Sequence, residues 1–365
     1  MMFHTPTVSA MDFHGIAATP FPRPPVQYGL DLVIYGGEGD CVQHYSGPAA
    51  DTLRQEGCIA RVACVDPRPA AGQIAYDDRF VNADGGLPLP QLEAAGYLQP
   101  RTVHLVSTPN HLHASIIRDL QAAGCTQIGT EKPLTTSSAE AEALLGLSVV
   151  PISHQLAKAE MLALIQAVQA GRLALDQIAH CTFALLETDG IPPDRVVDDV
   201  IFDMHWHGFE ALVVPFALLV GPQGRVRVEI EQVQTATYAD QPATVAPAGH
   251  WTVATIAGQL LCCDGVGRQY AIPYQIVAGK GLPVGKKQFV LQDGAGQSLH
   301  CVNLVERPRW QAHYRLLREL VTQLVPYTLT TLEQAVGVVT LCEQSVALAV
   351  DGGTYRFGSW PDFLA

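Results

Sequence analysis

Short apolar runs alternate with amphipathic segments from about residue 30 to residue 153. Runs of this kind are typical of buried parallel strands, and apolar positions three and four apart predict helices. The pattern predicts strands over residues 32–35, 60–65, 103–107, 127–130 and 149–153, with helices over 42–55 and 137–147 and one ending at residue 123. Strands and helices in strict alternation predict a doubly wound parallel sheet.

The pattern changes after residue 153. Strand-like runs now follow one another at residues 178–186, 226–237, 251–262, 270–277, 288–291 and 299–305, and helices are predicted over 156–170, 201–220, 310–324 and 332–349. Strands without intervening helices predict an antiparallel sheet. The predicted fold is therefore an α/β Rossmann domain at residues 29–153 and an α+β domain, built on an open and mostly antiparallel sheet, at residues 154–365. The proline-rich residues 1–28 are expected to form a loose arm.

Composition narrows the possible partners. The 365 residues carry a net charge of −13, which argues against nucleic acid because phosphate binding needs a basic surface. No apolar run reaches the roughly 18 residues of a membrane span, so no membrane partner is expected. The nine cysteines include no C-x-x-C pair, which favours reduced thiols in the cytoplasm and gives no metal-binding spacing. These features are typical of a cytoplasmic globular protein that binds small molecules.

A glycine-rich turn follows the first predicted strand at residues 36–40 (G-G-E-G-D). Glycines between a strand and a helix let the backbone approach a pyrophosphate, which the helix N-terminus then stabilises. Asp66 closes the next strand and offers a carboxylate to a ribose diol, whereas Arg68 could attract a 2′-phosphate. The pattern predicts NAD or NADP as cofactor and leaves the choice open. Its candidate ligands here are Gly36, Gly37, Glu38, Gly39, Asp40, Asp66 and Arg68.

Two further strand ends carry polar residues. Ser107, Thr108, Pro109 and Asn110 follow one strand, His113 lies in the helix after them, and Glu131 and Lys132 follow the next strand. In an open parallel sheet, ligands bind beyond the carboxyl ends of the strands. This placement predicts that all seven residues contribute to the cofactor site, with the Lys132 cation beside the bound nucleotide.

Asp203 and His207 form the second constellation. Four residues apart on a predicted helix, they share a face. Histidine suits the removal of a hydroxyl proton because its ordinary pKa lies near working pH. The alternatives are two core or surface histidines at 205 and 207, or a metal site. His154 and Lys158 form a similar pair that could clamp a phosphate.

Taken in order, several segments resemble glucose-6-phosphate dehydrogenase. They are I-Y-G-G-E-G-D at 34–40, E-K-P at 131–133, S-H-Q-L-A-K at 153–158, E-T-D-G at 187–190, D-M and a later histidine at 203–207, I-P-Y with A-G-K-G-L at 272–282, and G-S-W-P at 358–361. The segment 104–113 and the D-x-x-x-H spacing resemble the related Gfo/Idh/MocA-type oxidoreductases equally well. Both families pair a Rossmann domain with an α+β sheet domain. Ser153 departs from the pattern, which has an aspartate there.

The resemblance implies a nicotinamide-dependent dehydrogenase that acts on a sugar, such as a hexose phosphate, an aminosugar or a cyclitol. It implies catalytic roles for His207 as general base, Asp203 and Lys132. His154, Lys158, Glu187, Asp203 and Lys280 would bind the substrate. The alternatives are a catalytically silent sugar- or nucleotide-binding paralogue, which the loss of aspartate at Ser153 motivates, and an imine or keto reductase of secondary metabolism.

Assembly is expected through the second sheet. An open sheet with an uncovered apolar face usually marks an interface. Apolar side chains alternate along two of its strands, at Val226, Val228, Ile230, Ile256 and Leu260. We therefore expect a homodimer or homotetramer that is formed through this face of the C-terminal sheet.

Overall fold

A computed structural model describes residues 9–15, 29–68, 74–81, 86–188, 200–238, 251–282, 285–321 and 330–355. The chain divides into two compact units. The Rossmann unit comprises residues 21–159 and 306–336, and the sheet unit comprises residues 1–20, 160–305 and 337–365. Residues 306–336 thus return to the unit that the first half of the chain builds. The motif at 358–361 and residues 189–190 of the motif at 187–190 lie outside the described residues.

The strands are, in chain order, β1 (Ser9–His14), β2 (Leu30–Tyr35), β3 (Ile59–Val65), β4 (Asp78–Phe80), β5 (Thr102–Val106), β6 (Ile128–Glu131), β7 (Val149–Ile152), β8 (His180–Leu186), β9 (Arg225–Tyr238), β10 (Val253–Cys263), β11 (Gln269–Gly279), β12 (Lys286–Gln292), β13 (Ser298–Asn303) and β14 (Val350–Tyr355). The helices are α1 (Gly47–Gln55), α2 (Leu89–Ala94), α3 (His113–Ala122), α4 (Ser138–Glu142), α5 (Ala159–Gln169), α6 (Trp206–Val220), α7 (Gln311–Val321) and α8 (Leu332–Leu348). Short π-helical turns, Val42–Ser46 and Ile201–His205, precede α1 and α6. None of the helices in the described residues is long and apolar enough to cross a membrane.

The Rossmann unit is built on a parallel sheet in the order β4-β3-β2-β5-β6-β7. All six residues of β2 are buried, as its near-continuous apolar sequence predicts for a central parallel strand. Chain order reverses between β2 and β5, which makes their carboxyl ends the topological switch point, where ligands bind in such sheets. Helix α7 contributes Leu316, Leu317 and Leu320 to the core of this unit.

The sheet unit has strands in the order β1-β9-β10-β11-β8-β12-β13, with β14 also paired to β9. Most neighbours are antiparallel, and the exceptions are β8 with β11 and β14 with β9. Helix α6 is apolar all round and almost wholly buried, which is the pattern of a helix enclosed by a core. The fold class predicted from the sequence is confirmed.

Three expectations need correction. Residues Ser9–His14 of the predicted loose arm form β1 and pair with β9, where Phe13 is buried. Helix α5 begins at Ala159 and not at residue 156.

The apolar residues assigned to an oligomer interface are covered by their own chain: Val226, Val228, Ile230, Ile256 and Leu260 are all 0 % exposed. Alternation identified their shared face correctly, but the side chains form the core. An assembly through this sheet remains a prediction, and it would use the opposite face.

A buried histidine lies directly beneath the switch point. His104, on β5, is 0 % exposed, and its Nδ1 lies 3.0 Å from the hydroxyl of Tyr35, the last residue of β2. Burial lowers the pKa of His104 to about 4, because the surroundings disfavour the charged ring. The folded protein therefore holds this ring neutral at pH values where an unfolded chain would protonate it.

This difference predicts acid sensitivity between about pH 6.5 and pH 4. Above that window the ring is neutral in both states, and within it only the unfolded chain takes up the proton. Stability should therefore fall with falling pH by up to about 1.4 kcal/mol per unit for this group, and the loss should level off below about pH 4. Denaturant unfolding across pH 7 to 4 measures the slope. His104→Gln should reduce this slope without abolishing it, because burial also lowers the pKa of His205 to about 4. The exposed His111→Gln is the control, and equal slopes in wild type and His104→Gln would contradict the assignment.

Candidate active site

The glycine turn at the switch point needs a residue without a side chain at position 36. Gly36 has φ of 80°, and a Cβ built there would lie 2.6 Å from the carbonyl oxygen of Ser107, at the end of β5. The Gly36 N–H donates to Val65 O at the end of β3 (2.8 Å) and its carbonyl accepts from Gly39 N–H (2.9 Å). A Cβ at Gly37 would meet Cys64 Sγ at 2.5 Å. These glycines let three strand ends converge on one turn.

Charged side chains fix the rest of this turn. Glu38 is buried and forms an ion pair with Arg79, while its backbone N–H donates to Asp66 Oδ2 at 3.0 Å. Arg68 forms a second ion pair with Asp66 at 2.9 Å. Burial opposes ionisation of Asp66, but the hydrogen bonds from Arg68 and from the backbone outweigh it and lower the pKa of this carboxyl. Asp66 therefore stays ionised and anchors the turn.

The other candidate cofactor ligands of this turn differ in how far they are exposed to solvent. Arg68 keeps a side chain that is 55 % exposed beside Asp66, so an anionic group could reach its guanidinium. Asp40 is exposed and lies 3.3 Å from His44 on the following turn. Gly39 is half-buried. The turn thus combines a backbone without bulky side chains, one ionised carboxylate and one accessible cation, which are features of a dinucleotide site.

His113 positions two loops. Its Nε2 lies 2.9 Å from Thr108 O and its Nδ1 lies 3.0 Å from Pro133 O, and the ring is 0 % exposed. The predicted cofactor contact for His113 is therefore replaced by a role in joining the loops after β5 and β6. In the first of these loops, Ser107 donates its N–H to Tyr35 O at 2.9 Å, and Pro109 and Asn110 follow it along the chain.

Glu131 points into the Rossmann unit, whereas the adjacent Lys132 is half-buried. The Glu131 carboxylate is 3.4 Å from His313 Nε2, on α7, and accepts from Ser46 Oγ at 3.4 Å. Burial disfavours its charge, yet His313 and further donors lower the pKa of Glu131. Of the two neighbours in E-K-P, Lys132 remains the candidate for contact with the cofactor.

His154 and Lys158 do not share a helical face. Both precede α5 in a series of turns, where Leu156 N–H donates to Ser153 O at 3.0 Å. The His154 ring stacks on His313 with centroids 4.9 Å apart. The phosphate clamp predicted from their i,i+4 spacing therefore has no helical basis, although both residues remain half-buried in this unit.

Two carboxylate–lysine pairs occupy the sheet unit. Asp203 pairs with Lys280 at the end of β11, and Glu187 pairs with Lys287 on β12. Burial opposes the charge of Glu187, but Lys287 and then Lys280 lower its pKa. The predicted substrate residues Glu187, Asp203 and Lys280 are thus brought into one electrostatic cluster, and Lys287 is a member that the sequence did not indicate.

His207 lies in the first turn of α6 and is 3 % exposed. Its Nδ1 is 3.9 Å from Oε2 of Glu210, which is 0 % exposed. His205, by contrast, lies within 3.0 Å of Ala254 O, and burial lowers the pKa of its ring to about 4. His205 is therefore a structural core residue, and His207 with its neighbouring acid is the candidate for proton transfer.

The two units divide the predicted residues between them. Lys132 and the glycine turn belong to the Rossmann unit, and Asp203 and His207 belong to the sheet unit. Sequence reasoning did not identify several supporting residues: Cys41, Tyr76, Arg79, Glu210, Lys287 and His313. Only Glu210 had a local signal, since it follows His207 by three residues on a predicted helix.

No protein-family model matches the chain, and no curated protein matches it either. Solved structures do. A myo-inositol 2-dehydrogenase from Lactobacillus plantarum is similar with a TM-score of 0.62 and 12% identity, over 87% of this chain and 97% of that one. Glucose-6-phosphate 1-dehydrogenase from Mycobacterium avium is similar with a TM-score of 0.60 and 14% identity, over 92% and 95%. A 3-ketoreductase from Actinomadura kijaniata, in complex with TDP-benzene and NADP, is similar with a TM-score of 0.57 and 14% identity, over 90% and 99%.

At these identities the likeness establishes the fold. The chain shares its two-domain fold with these dehydrogenases, as the resemblance noted from sequence motifs predicted.

The glycine turn yields a stability prediction. Gly36→Ala adds a Cβ both to a left-handed backbone and against Ser107 O, whereas Gly146→Ala adds one at φ of 84° with no atom within 4 Å. The left-handed conformation costs about 1–2 kcal/mol in each case, and overpacking adds roughly 1–3 kcal/mol at Gly36 alone. Chemical unfolding of the two variants measures the difference. Equal losses would show that the β2 and β5 ends do not approach this closely.

Proposed function

We propose that the protein is an NAD(P)-dependent oxidoreductase that transfers hydride between the nicotinamide and a hydroxyl-bearing carbon of a sugar or cyclitol. The observation that carries the proposal is the Gly36 turn at the switch point of β2 and β5, where a side chain would fill the space that the backbone needs. The turn meets a carboxylate, Asp66, anchored at the end of β3. The residues present therefore fit a dinucleotide.

The bound dinucleotide would supply the chemistry of hydride acceptance, and the protein supplies binding, orientation and proton transfer. The backbone N–H of Gly37 would face the phosphates. The N–H groups of Gly36, Glu38 and Gly39 hold the shape of the turn through their own hydrogen bonds. Asp66 would accept from a ribose hydroxyl, and Lys132 would place a cation beside the nucleotide and the sugar hydroxyl. Positive charge near a developing alkoxide stabilises it, which is the role we assign to Lys132.

His207 is the proposed general base. As a hydride leaves the carbon, His207 would take the proton of the attached hydroxyl, which leaves a carbonyl product. Glu210 lies beside the Nδ1 side of the ring, so it would orient the histidine and favour its protonated form. In the glucose-6-phosphate dehydrogenase pattern, an aspartate at the position of Ser153 orients the catalytic histidine. In this chain we assign that task to Glu210.

Substrate recognition is assigned to the cluster in the sheet unit. Asp203 and Glu187 offer carboxylate acceptors to sugar hydroxyls, and Lys280 offers a donor. His154 and Lys158 are proposed contacts for a phosphate or another anionic tail. The substrate class is a hexose phosphate or a related aminosugar or cyclitol, because the similar solved structures include a myo-inositol 2-dehydrogenase and a glucose-6-phosphate 1-dehydrogenase.

A second candidate function is a silent sugar- or nucleotide-binding protein. Ser153 favours it, because this buried side chain donates to Thr330 Oγ1 at 3.4 Å and offers no carboxylate. Dinucleotide binding followed by turnover separates the two functions. Titration with NAD and NADP, then absorbance of the reduced cofactor over a panel of sugars, sugar phosphates and cyclitols, should show binding and formation of product. Dinucleotide binding without turnover of any substrate would favour the silent protein. No dinucleotide binding would exclude the oxidoreductase and leave only a silent sugar-binding protein.

The base assignment predicts a separation of turnover from binding. His207→Asn keeps a polar side chain but removes the base, so kcat should fall by about 10²–10⁴-fold, while the Kd for the cofactor stays near that of wild type. Steady-state kinetics and a cofactor titration on the same preparation measure both. A wild-type rate in His207→Asn would transfer the role to Lys132.

The exposed guanidinium of Arg68 yields a prediction on cofactor choice. Removing a charge-assisted contact to a 2′-phosphate costs about 1.5–3 kcal/mol. Arg68→Ala should therefore lower the NADP:NAD affinity ratio by about 10- to 100-fold, whichever cofactor wild type prefers. Arg172→Ala, on the sheet unit, is the control. An unchanged ratio would show that Arg68 serves only to hold Asp66.

A further inference from the structure

Three donor side chains converge in the Rossmann unit without a role in the proposed chemistry. Cys41 Sγ, a carboxylate oxygen of Glu131 and a ring nitrogen of His313 all lie within 4.8 Å of one another. Cys41 follows the glycine turn, Glu131 ends β6, and His313 lies on α7. Their separations along the chain are 90 residues (131 − 41) and 182 residues (313 − 131), so no local spacing could indicate such a site.

The three side chains meet at one point, whereas the members of a catalytic relay form a line. In a nucleophile–histidine–acid relay, the two partners contact opposite nitrogens of the imidazole. Here the same nitrogen, Nε2 of His313, lies 3.9 Å from Cys41 Sγ and 3.4 Å from Glu131 Oε1. Ligands of a tetrahedral zinc ion stand about 3.3–3.6 Å from one another, given the usual metal–ligand lengths. The observed spacings are close to those of a coordination sphere.

The charges of the three groups also match a divalent ion. At present the Cys41 thiol and the His313 ring both serve as hydrogen-bond partners of the Glu131 carboxylate. A cation would replace their two protons, and one thiolate with one carboxylate would balance its charge around a neutral imidazole. Thiolate and imidazole ligands select zinc-type cations over magnesium or calcium.

From this convergence we propose that Cys41, Glu131 and His313 form a binding site for a divalent, thiol-preferring cation of the zinc type.

The surroundings suit such a site. The rings of Tyr45 and His154 lie against His313, with centroids 5.1 Å and 4.9 Å away, so the imidazole has a fixed orientation. Ser46 donates to Glu131, which is the kind of outer-sphere hydrogen bond that orients a ligating carboxylate. Cys41 is half-buried, whereas the other two ligands are buried, so an ion would approach past the thiol. Three protein ligands leave the fourth position to water.

The test uses the whole protein and cobalt(II) as the probe. After treatment with a chelator, the protein is titrated with Co²⁺ and followed by the thiolate-to-cobalt charge-transfer absorption. We expect saturation at one equivalent, followed by loss of the band when Zn²⁺ displaces the cobalt. Cys41→Ser should abolish the band, and the exposed Cys301→Ser, in the sheet unit, should retain it at wild-type intensity.

Substitutions of the other ligands sharpen the result. Glu131→Gln and His313→Gln should weaken Co²⁺ binding by more than about tenfold, in protein whose circular dichroism matches wild type. If either buried variant fails to fold, the half-buried Cys41→Ser still decides the question. No charge-transfer band in folded wild type, or a band that persists in Cys41→Ser, would overturn the proposal. Because the readout is metal binding alone, its failure is distinct from a failure of cofactor binding or turnover.

Discussion

The close approach of the β2 and β5 ends is the constraint on which the Rossmann unit depends. A residue without a side chain is favoured at position 36, since a Cβ there would lie only 2.6 Å from Ser107 O. The turn that follows is fastened by hydrogen bonds to its own backbone: Gly37 O accepts from the Tyr76 hydroxyl at 2.7 Å and from Gln43 Nε2 at 2.8 Å. These hydrogen bonds hold the backbone of the turn in one shape, which a bound ligand would meet already formed.

Buried charge is neutralised locally in both units. Asp31, on strand β2, is 0 % exposed and pairs with Arg61 at 2.7 Å, and Glu38 pairs with Arg79. In the sheet unit, Asp203 pairs with Lys280. Desolvation of such pairs offsets most of their Coulomb attraction, so they add little net stability, whereas removal of one partner is strongly destabilising. Their contribution is to fix positions, which is what a site that orients a cofactor or substrate requires.

The features that the sequence predicted correctly are those that depend on local patterns of residues. Alternating strands and helices indicated the parallel sheet, and the glycine turn indicated its switch point. Contacts between distant segments carry no such pattern: the pairing of β1 with β9, and the return of His313 on α7 to Glu131, follow from packing that only the folded chain provides. Period-two alternation grouped Val226 with Val228 but could not say what covers them. The apolar circumference of α6 was the overlooked signal, because such a helix requires a core on every side.

Both candidate sites also contain a π-helical turn, Val42–Ser46 after the glycine turn and Ile201–His205 before α6. A π-turn shifts hydrogen bonding from i+4 to i+5, and such turns occur frequently at functional sites. The α-helical spacing that placed Asp203 and His207 on one face therefore does not apply across residue 205. Asp203 instead pairs with Lys280, while His207 lies beside Glu210 within α6. The widened turn thus separates Asp203 from His207, and a single constellation in the sequence becomes two distinct pairs in the structure.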